Sequence, residues 1–432
     1  MASSIASLPS ELLLDILDYA TYERDVFNTA APSLFAYPPS RSYRETSAAI
    51  RTTMPTKLAI AAVCSSWRVL AERFVFSAIA FADLARLPQL CEAVCSPRGA
   101  PPGAPSCFAS PEHDTPAPHV FDIFERDQAR GWWTRRLDLC VSNVPHIADD
   151  EIDEGAAAYV LQISLLLRAC PNLHIMANMT RTPHWFNLVC IKAAVHLNRA
   201  SVRILTSEVC YPRTRPRHVT RFFRQAKHLR VFDGVVELTP PAEAADEFSS
   251  YTSSSEESSG DDEPAELQIV ARELEAMRVP VNEVPGTCFS RAHFPALRHI
   301  TLGLVSLVDD GSYLLRFLAH HRGITSVEFL YNANRVVWDT VLRSGLQLEQ
   351  IVFDHSSHHR LRNAERLPST ITRVGVRFSH KQNVRIIRFL HPRLVYDLSD
   401  RHNKFLPKWL GPLALRGIRI EGPEGELLWP IY

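Results

Sequence analysis

The chain has 432 residues, of which 46% are hydrophobic and 22% charged, enough apolar material for a large core and about two structural units. Its 47 basic and 47 acidic residues cancel, so no global field favours nucleic acid or an anionic membrane. No apolar run approaches the roughly 18 residues of a membrane span, and the N-terminus lacks a basic region followed by an apolar signal core. The nine cysteines are scattered and odd in number, which reads as free thiols in a reducing cytoplasmic or nuclear compartment.

The first predicted element is an amphipathic helix opening at Leu8-Pro9-Ser10-Glu11-Leu12-Leu13 and running through Leu17. Pro9 suits a first helical turn, and Glu11 places negative charge near the positive end of the helix dipole. Glu11, Asp15 and Asp18 form an acidic face, while Leu12, Leu13, Ile16, Leu17 and Ala20 form the apolar one. The stretch from about Tyr22 to Pro55 contains Pro32, Pro38 and Pro39 and reads as a loop. A second helix follows, from Val63-Cys64-Ser65-Ser66-Trp67-Arg68-Val69-Leu70-Ala71, with Trp67, Leu70, Ala71 and Phe74 on one stripe.

By periodicity alone these are two core helices. The Leu-Pro-x-Glu-Leu opening and the Val-Cys-x-x-Trp-Arg-x-Leu-Ala segment resemble the F-box family, particularly the F-box-like proteins of basidiomycete fungi. The resemblance implies a helical module over residues 1–80 that binds a Skp-family adaptor, and through it a cullin. It assigns the adaptor face and its packing to Leu8, Pro9, Leu12, Ile16, Leu17, Val63, Cys64, Trp67 and Leu70. Leu8 and Trp67 lie 59 positions apart, longer than the compact family pattern. An insertion of that length is tolerable because loop-closure entropy grows only logarithmically.

Pro97 to Pro118 contains seven prolines and reads as an extended linker or surface loop closing the N-terminal unit. From about residue 130 to 432, short strands alternate with helices. An aliphatic anchor, two residues, an apolar residue, one residue and a second apolar residue recur as Leu297-Ile300-Leu302, Ile324-Val327-Phe329, Leu348-Ile351-Phe353 and Ile371-Val374-Val376. The anchors are 27, 24 and 23 residues apart. Leu173-Met176 and Leu229-Phe232 fit the first half, 56 residues apart, about two such periods. Helices are predicted over Tyr159–Arg168, Val219–Gln225 and Tyr313–Ala319. A strand and helix at this period predict an α/β fold, a degenerate leucine-rich-repeat-like solenoid whose units stack because none can bury its apolar face alone; the alternative is a generic α/β domain with buried strands, against which the even spacing counts. The family resemblance implies the same, with this region as the substrate-binding part.

On that pattern the intervening residues face outward and form the candidate partner surface: His299, Thr301 and Gly303; Ser326, Glu328 and Leu330; Gln350, Val352 and Asp354; Arg373, Gly375 and Arg377. An acidic, serine-rich insertion, about 240–266, interrupts the repeats and is predicted to be disordered. Taking about 40 residues out of the 68 between Leu229 and Leu297 leaves one ordinary period. Ser253, Ser254, Ser258 and Ser259 each have an acidic residue three positions later, a pattern for acidophilic kinases.

No phosphate-cradling glycine loop, Gly-x-Ser-x-Gly elbow or His-Glu-x-x-His occurs, so the sequence points to no enzyme and no cofactor. His355, His358 and His359 beside Asp354 read as a loop rather than a metal site, as does the basic Arg213, Arg215, Arg217, His218 stretch. Cys91 and Cys95 share a helical face without a second pair to complete a zinc site. The expected activity is therefore recruitment: a receptor joining the adaptor to an unidentified protein substrate, without nucleic acid or membrane. The alternative is a repeat scaffold whose N-terminal helices only cap the solenoid.

Overall fold

The structure is a computed structural model. It describes residues 9–22, 26–31, 39–98, 129–141, 152–179, 190, 193–194, 196–214, 222–238, 270–279, 292–302, 312–329, 335–354, 370–371, 373–380, 383–390, 419–421 and 427–429. The chain is α/β and divides into two compact units, one of residues 1–29 with 43–209, the other of 30–42 with 210–432.

The first unit begins with α1 (Ser10–Thr21). Pro9 is the residue before the helix rather than inside its first turn, and its carbonyl accepts the Leu13 N–H at 3.1 Å. Leu13, Leu17 and Thr21 turn inward. A second helix, α2 (Pro39–Ala62), occupies much of the stretch that reads as a loop. The prolines mislead there. Pro39 is the first helical residue, where a missing N–H costs nothing, and the helix continues through Pro55. An internal proline costs about 3 kcal/mol. The inward stripe Tyr43, Ser47, Ile50 and Lys57 is buried and offsets that cost. Two of those four residues are polar, so hydrophobic periodicity does not reveal the stripe.

After α2 come α3 (Ser65–Ser77), β1 (Ala78–Phe81), a 3-10 turn (Leu84–Arg86) and α4 (Leu87–Cys95). Pro97 pairs with Ala129 in an isolated antiparallel bridge, and most of the proline-rich stretch between them lies outside the described residues. The contact division falls instead between Val209 and Cys210. Beyond the bridge lie a 3-10 turn (Arg130–Trp133), β2 (Arg136–Leu139), α5 (Ile152–Ala169), β3 (Ile175–Asn178) and β4 (Ile204–Thr214). β1 pairs in parallel with β2, β2 with β3 and β3 with β4. Leu137, Met176 and Leu205 sit side by side in that register, all buried. Val202, also buried, supplies the anchor missing between Leu173 and Leu229.

The second unit continues the rule with β5 (Val231–Leu238), β6 (Ala276–Val279), β7 (His299–Leu302), α6 (Ser312–His320), β8 (Ser326–Phe329), α7 (Arg335–Arg343), β9 (Gln350–Asp354) and β10 (Arg373–His380). Phe232, Met277, Ile300, Val327, Ile351 and Val374 form one row across these six parallel strands. The predicted anchors Leu229, Leu297, Ile324, Leu348 and Ile371 are all buried. β11 (Asn383–Leu390), β12 (Arg419–Glu421) and β13 (Leu427–Trp429) then pair antiparallel.

β6 falls in the interval expected to hold one period and an insertion. The interval from Leu229 to Leu297 holds a further strand with its own buried anchor, Leu274, 23 residues before Leu297. Glu273, Glu275 and Arg278 surround its apolar positions and make the segment read as more of the charged insertion. Polar side chains also close turns between strands. Asn198 Nδ2 donates to the carbonyls of Leu167 (3.1 Å) and Cys170 (2.5 Å), and Asn172 Nδ2 to that of Trp132 (2.9 Å). Such bonds satisfy carbonyls that a helix end or turn leaves unpaired.

Candidate partner-binding surfaces

The N-terminal candidates fall into two groups. On α1, Leu17 is buried with Leu13, and Thr21 Oγ1 donates to the Leu17 carbonyl at 2.7 Å. Leu12 and Ile16, placed by the sequence on the same face, are 50% and 46% exposed, as is nearly all of Tyr19. A helix has room for one buried stripe per neighbour, and α3 is the described neighbour of α1. On α3, Ala71 and Phe74 are buried while Trp67 and Leu70 are half-buried, and Val63, just before the helix, is exposed. Trp67 is therefore not the fully buried keystone that its size suggests. Leu8 lies outside the described residues.

Cys64 precedes α3 in an extended conformation, with its Sγ 3.1 Å from the Ser66 hydroxyl. The Ser66 hydroxyl and the Trp67 backbone N–H draw the thiol below its ordinary value. Cys91 and Cys95 instead turn into the packing of α4 against α5 and donate to the carbonyls of Gln162 (3.3 Å) and Leu165 (4.0 Å). Burial pushes the Cys91 thiol up to about 12. Among the described residues, no group of three or more His, Cys, Asp or Glu is placed to hold a metal, and no helix is long and apolar enough to cross a membrane.

The repeat-face candidates are brought together by register. His299, Ser326, Gln350 and Arg373 form one row, and Thr301, Glu328, Val352 and Gly375 the next; Asp354 pairs with Arg377. None of those whose side chains are described is fully exposed. Ser326, Glu328 and Val352 are buried, and His299, Thr301 and Gln350 half-buried. Each of these residues lies beside in-register neighbours on adjacent strands, so alternation along a strand does not by itself expose it. Thr301 Oγ1 donates to Glu328 Oε2 at 3.2 Å. Burial holds the His299 imidazole below its ordinary value; Glu275 partly offsets this and Arg298 adds to it.

Two residues beside the Thr301 row escaped the sequence reading. Arg278 on β6 pairs in register with Thr301 and makes a 2.6 Å ion pair with Asp233 on β5. The signal was the spacing Leu274-Met277-Val279, which repeats the pattern of its neighbours. Gly303 and Leu330 lie outside the described residues, as do His355, His358 and His359, Arg215 to His218, and Ser253, Ser254, Ser258 and Ser259. No model of a known protein family matches the chain, and no curated protein matches it.

Proposed function

We propose that this chain is the substrate-recognition receptor of a Skp–cullin–F-box type ubiquitin ligase. The N-terminal helices are an F-box-like module that binds the Skp-family adaptor. The parallel α/β region is a degenerate leucine-rich-repeat-like solenoid that holds a protein target. The observation that carries this reading is the division of α1. Leu13 and Leu17 anchor the helix to the body, and Leu12 and Ile16 are left outside. Burying the exposed halves of two such side chains against a partner contributes about 1 kcal/mol each. Contiguous exposed apolar surface of this kind marks protein-binding sites.

The solenoid reading draws support from the regular rows of buried aliphatics, one strand per unit, each paired with the next in the chain. The mechanism is proximity: the receptor holds a substrate lysine near a ubiquitin-loaded enzyme carried elsewhere in the complex, and needs no catalytic residue of its own. A second reading, a scaffold whose α1 and α3 only cap the repeats, is favoured by the buried Leu13, Leu17 and Phe74. A cap alone leaves no purpose for the outward Leu12 and Ile16.

The deciding experiment is co-purification of the tagged chain with a Skp-family adaptor, beside a Leu12→Asp, Ile16→Asp variant. Both positions are half-exposed, so the variant keeps its fold. Retention by the wild type and loss by the variant supports the receptor. No retention by a folded wild type leaves the scaffold.

A further inference from the structure

The core of the second unit contains a histidine whose two ring nitrogens are both committed. His321 follows α6 and is buried between two aromatic rings, stacked on Phe294 at 5.3 Å and tilted against Phe317 at 4.3 Å. Its Nε2 accepts the backbone N–H of Phe294 at 3.1 Å. A backbone amide only donates, so Nε2 carries no proton and the ring is neutral with its hydrogen on Nδ1. Nδ1 lies 2.8 Å from the Phe317 carbonyl and donates to it. The imidazole thus joins the C-terminal turn of α6 to the turn that leads into β7. Phe294 continues the aromatic contacts to Phe223 at 5.6 Å, and Phe223 reaches Phe232 on β5 at 5.3 Å.

We propose that His321 is an acid-sensitive latch of the second unit, closed while Nε2 accepts the Phe294 amide and opened when a proton from solvent occupies that nitrogen. The chemistry allows no intermediate state. A protonated Nε2 sets an N–H against an N–H, breaks the bond to Phe294, and leaves a cation between two phenyl rings. Two titratable neighbours reinforce the effect. His293, before β7, and His320, on α6, both disfavour charge on His321; Arg322 follows it in the turn, and α7, packed on α6, carries Asp339 and Arg343. Burial holds the imidazole below its ordinary value, the Phe317 carbonyl partly offsets this, and the two histidines add to it.

The sign follows from linkage. An exposed histidine takes its proton near pH 6.5, and the latched one only at lower pH. The stabilisation is therefore complete above about pH 6.5 and is lost as the pH falls below it. One such group raises the opening constant by at most about tenfold at pH 5.5.

The test is amide exchange of the full chain at pH 7.5 and 5.5, normalised for intrinsic rates, beside His321→Gln. Glutamine keeps one acceptor and one donor but does not titrate. The expected result is a loss of protection, of up to about tenfold, at the Phe294 amide and in α6 of the wild type, absent from the variant. An equal loss in the variant, or no loss in the wild type, overturns the latch. Should the variant fail to fold, histidine-labelled NMR of the wild type decides. A ring held as the Nδ1–H tautomer until Phe294 loses protection supports the proposal. A ring that titrates while that amide stays protected overturns it.

Discussion

Asp138 on β2 offers the sharpest test of how the first unit holds together. Its carboxylate accepts both bonds from Arg136 Nε, at 2.9 and 3.1 Å, and the bond from the Ser47 hydroxyl of α2. Arg136 in turn donates from Nη1 to the Val26 carbonyl at 3.0 Å and lies 5.6 Å over the Tyr43 ring. Arg136 is 2% exposed and Asp138 fully buried, so water replaces neither partner when the other is lost. Removing the carboxylate by Asp138→Ala strands a buried guanidinium, which costs about 3–5 kcal/mol. Ser47→Ala removes a single charge-assisted hydrogen bond, worth about 1.5–3 kcal/mol. Replacing both charges, as Arg136→Met with Asp138→Leu, costs less than Asp138→Ala alone, because no unpaired charge remains. Urea unfolding followed by the fluorescence of the chain's seven tryptophans, Trp67, Trp132 and Trp133 among them, measures all three variants. The expected order of loss places Asp138→Ala first. If Asp138→Ala lies within about 1 kcal/mol of the wild type, the cluster is not the joint between α2 and the strands, and the reasoning fails.

Other changes bear on separate parts of the chain. Gly131 has no room for a side chain: a Cβ there meets the Ala169 carbonyl and comes within 2.6 Å of Val94 Cγ1. Gly131→Ala is expected to lower stability by about 1–3 kcal/mol, read as a lower urea midpoint. Trp67→Ala removes a half-buried ring and should cost roughly 2 kcal/mol, about half the figure for a fully buried aromatic; a loss above about 4 kcal/mol contradicts the observed exposure. With a thiol-specific chromogenic reagent at pH 8, Cys64 should react in the folded protein and Cys91 only after unfolding. Modification of Cys91 in the native chain, detected by peptide mapping, would show that α4 and α5 do not pack as described.

The row from Ile300 to Val374 was legible because a strand that must bury its apolar side repeats the same local spacing in every unit, whatever lies around it. Leu229, Leu297, Ile324, Leu348 and Ile371 were visible as anchors for the same reason, and the helix over Ser312–His320 by its own period. Leu274 and Val202 obey the rule too, but charged or unremarkable neighbours hid them. The N-terminal strings likewise placed a helix at α1 and another at α3.

Tertiary structure decided which sides of those elements meet. Leu12 and Leu13 are chemically identical, yet one is half exposed and the other buried, because only the packing partner distinguishes neighbouring positions around a helix. The helix α2 could not be read from its prolines and its polar inward stripe. Ser47 is buried because Asp138, 91 residues away, accepts its hydroxyl. Glu328 and Ser326 alternate with apolar residues as a solvent face would, yet they are buried where β8 lies between β7 and β9. Spacing along the chain is local and survives in the sequence. A buried polar side chain depends on a partner far along the chain, and only the folded arrangement brings the two together.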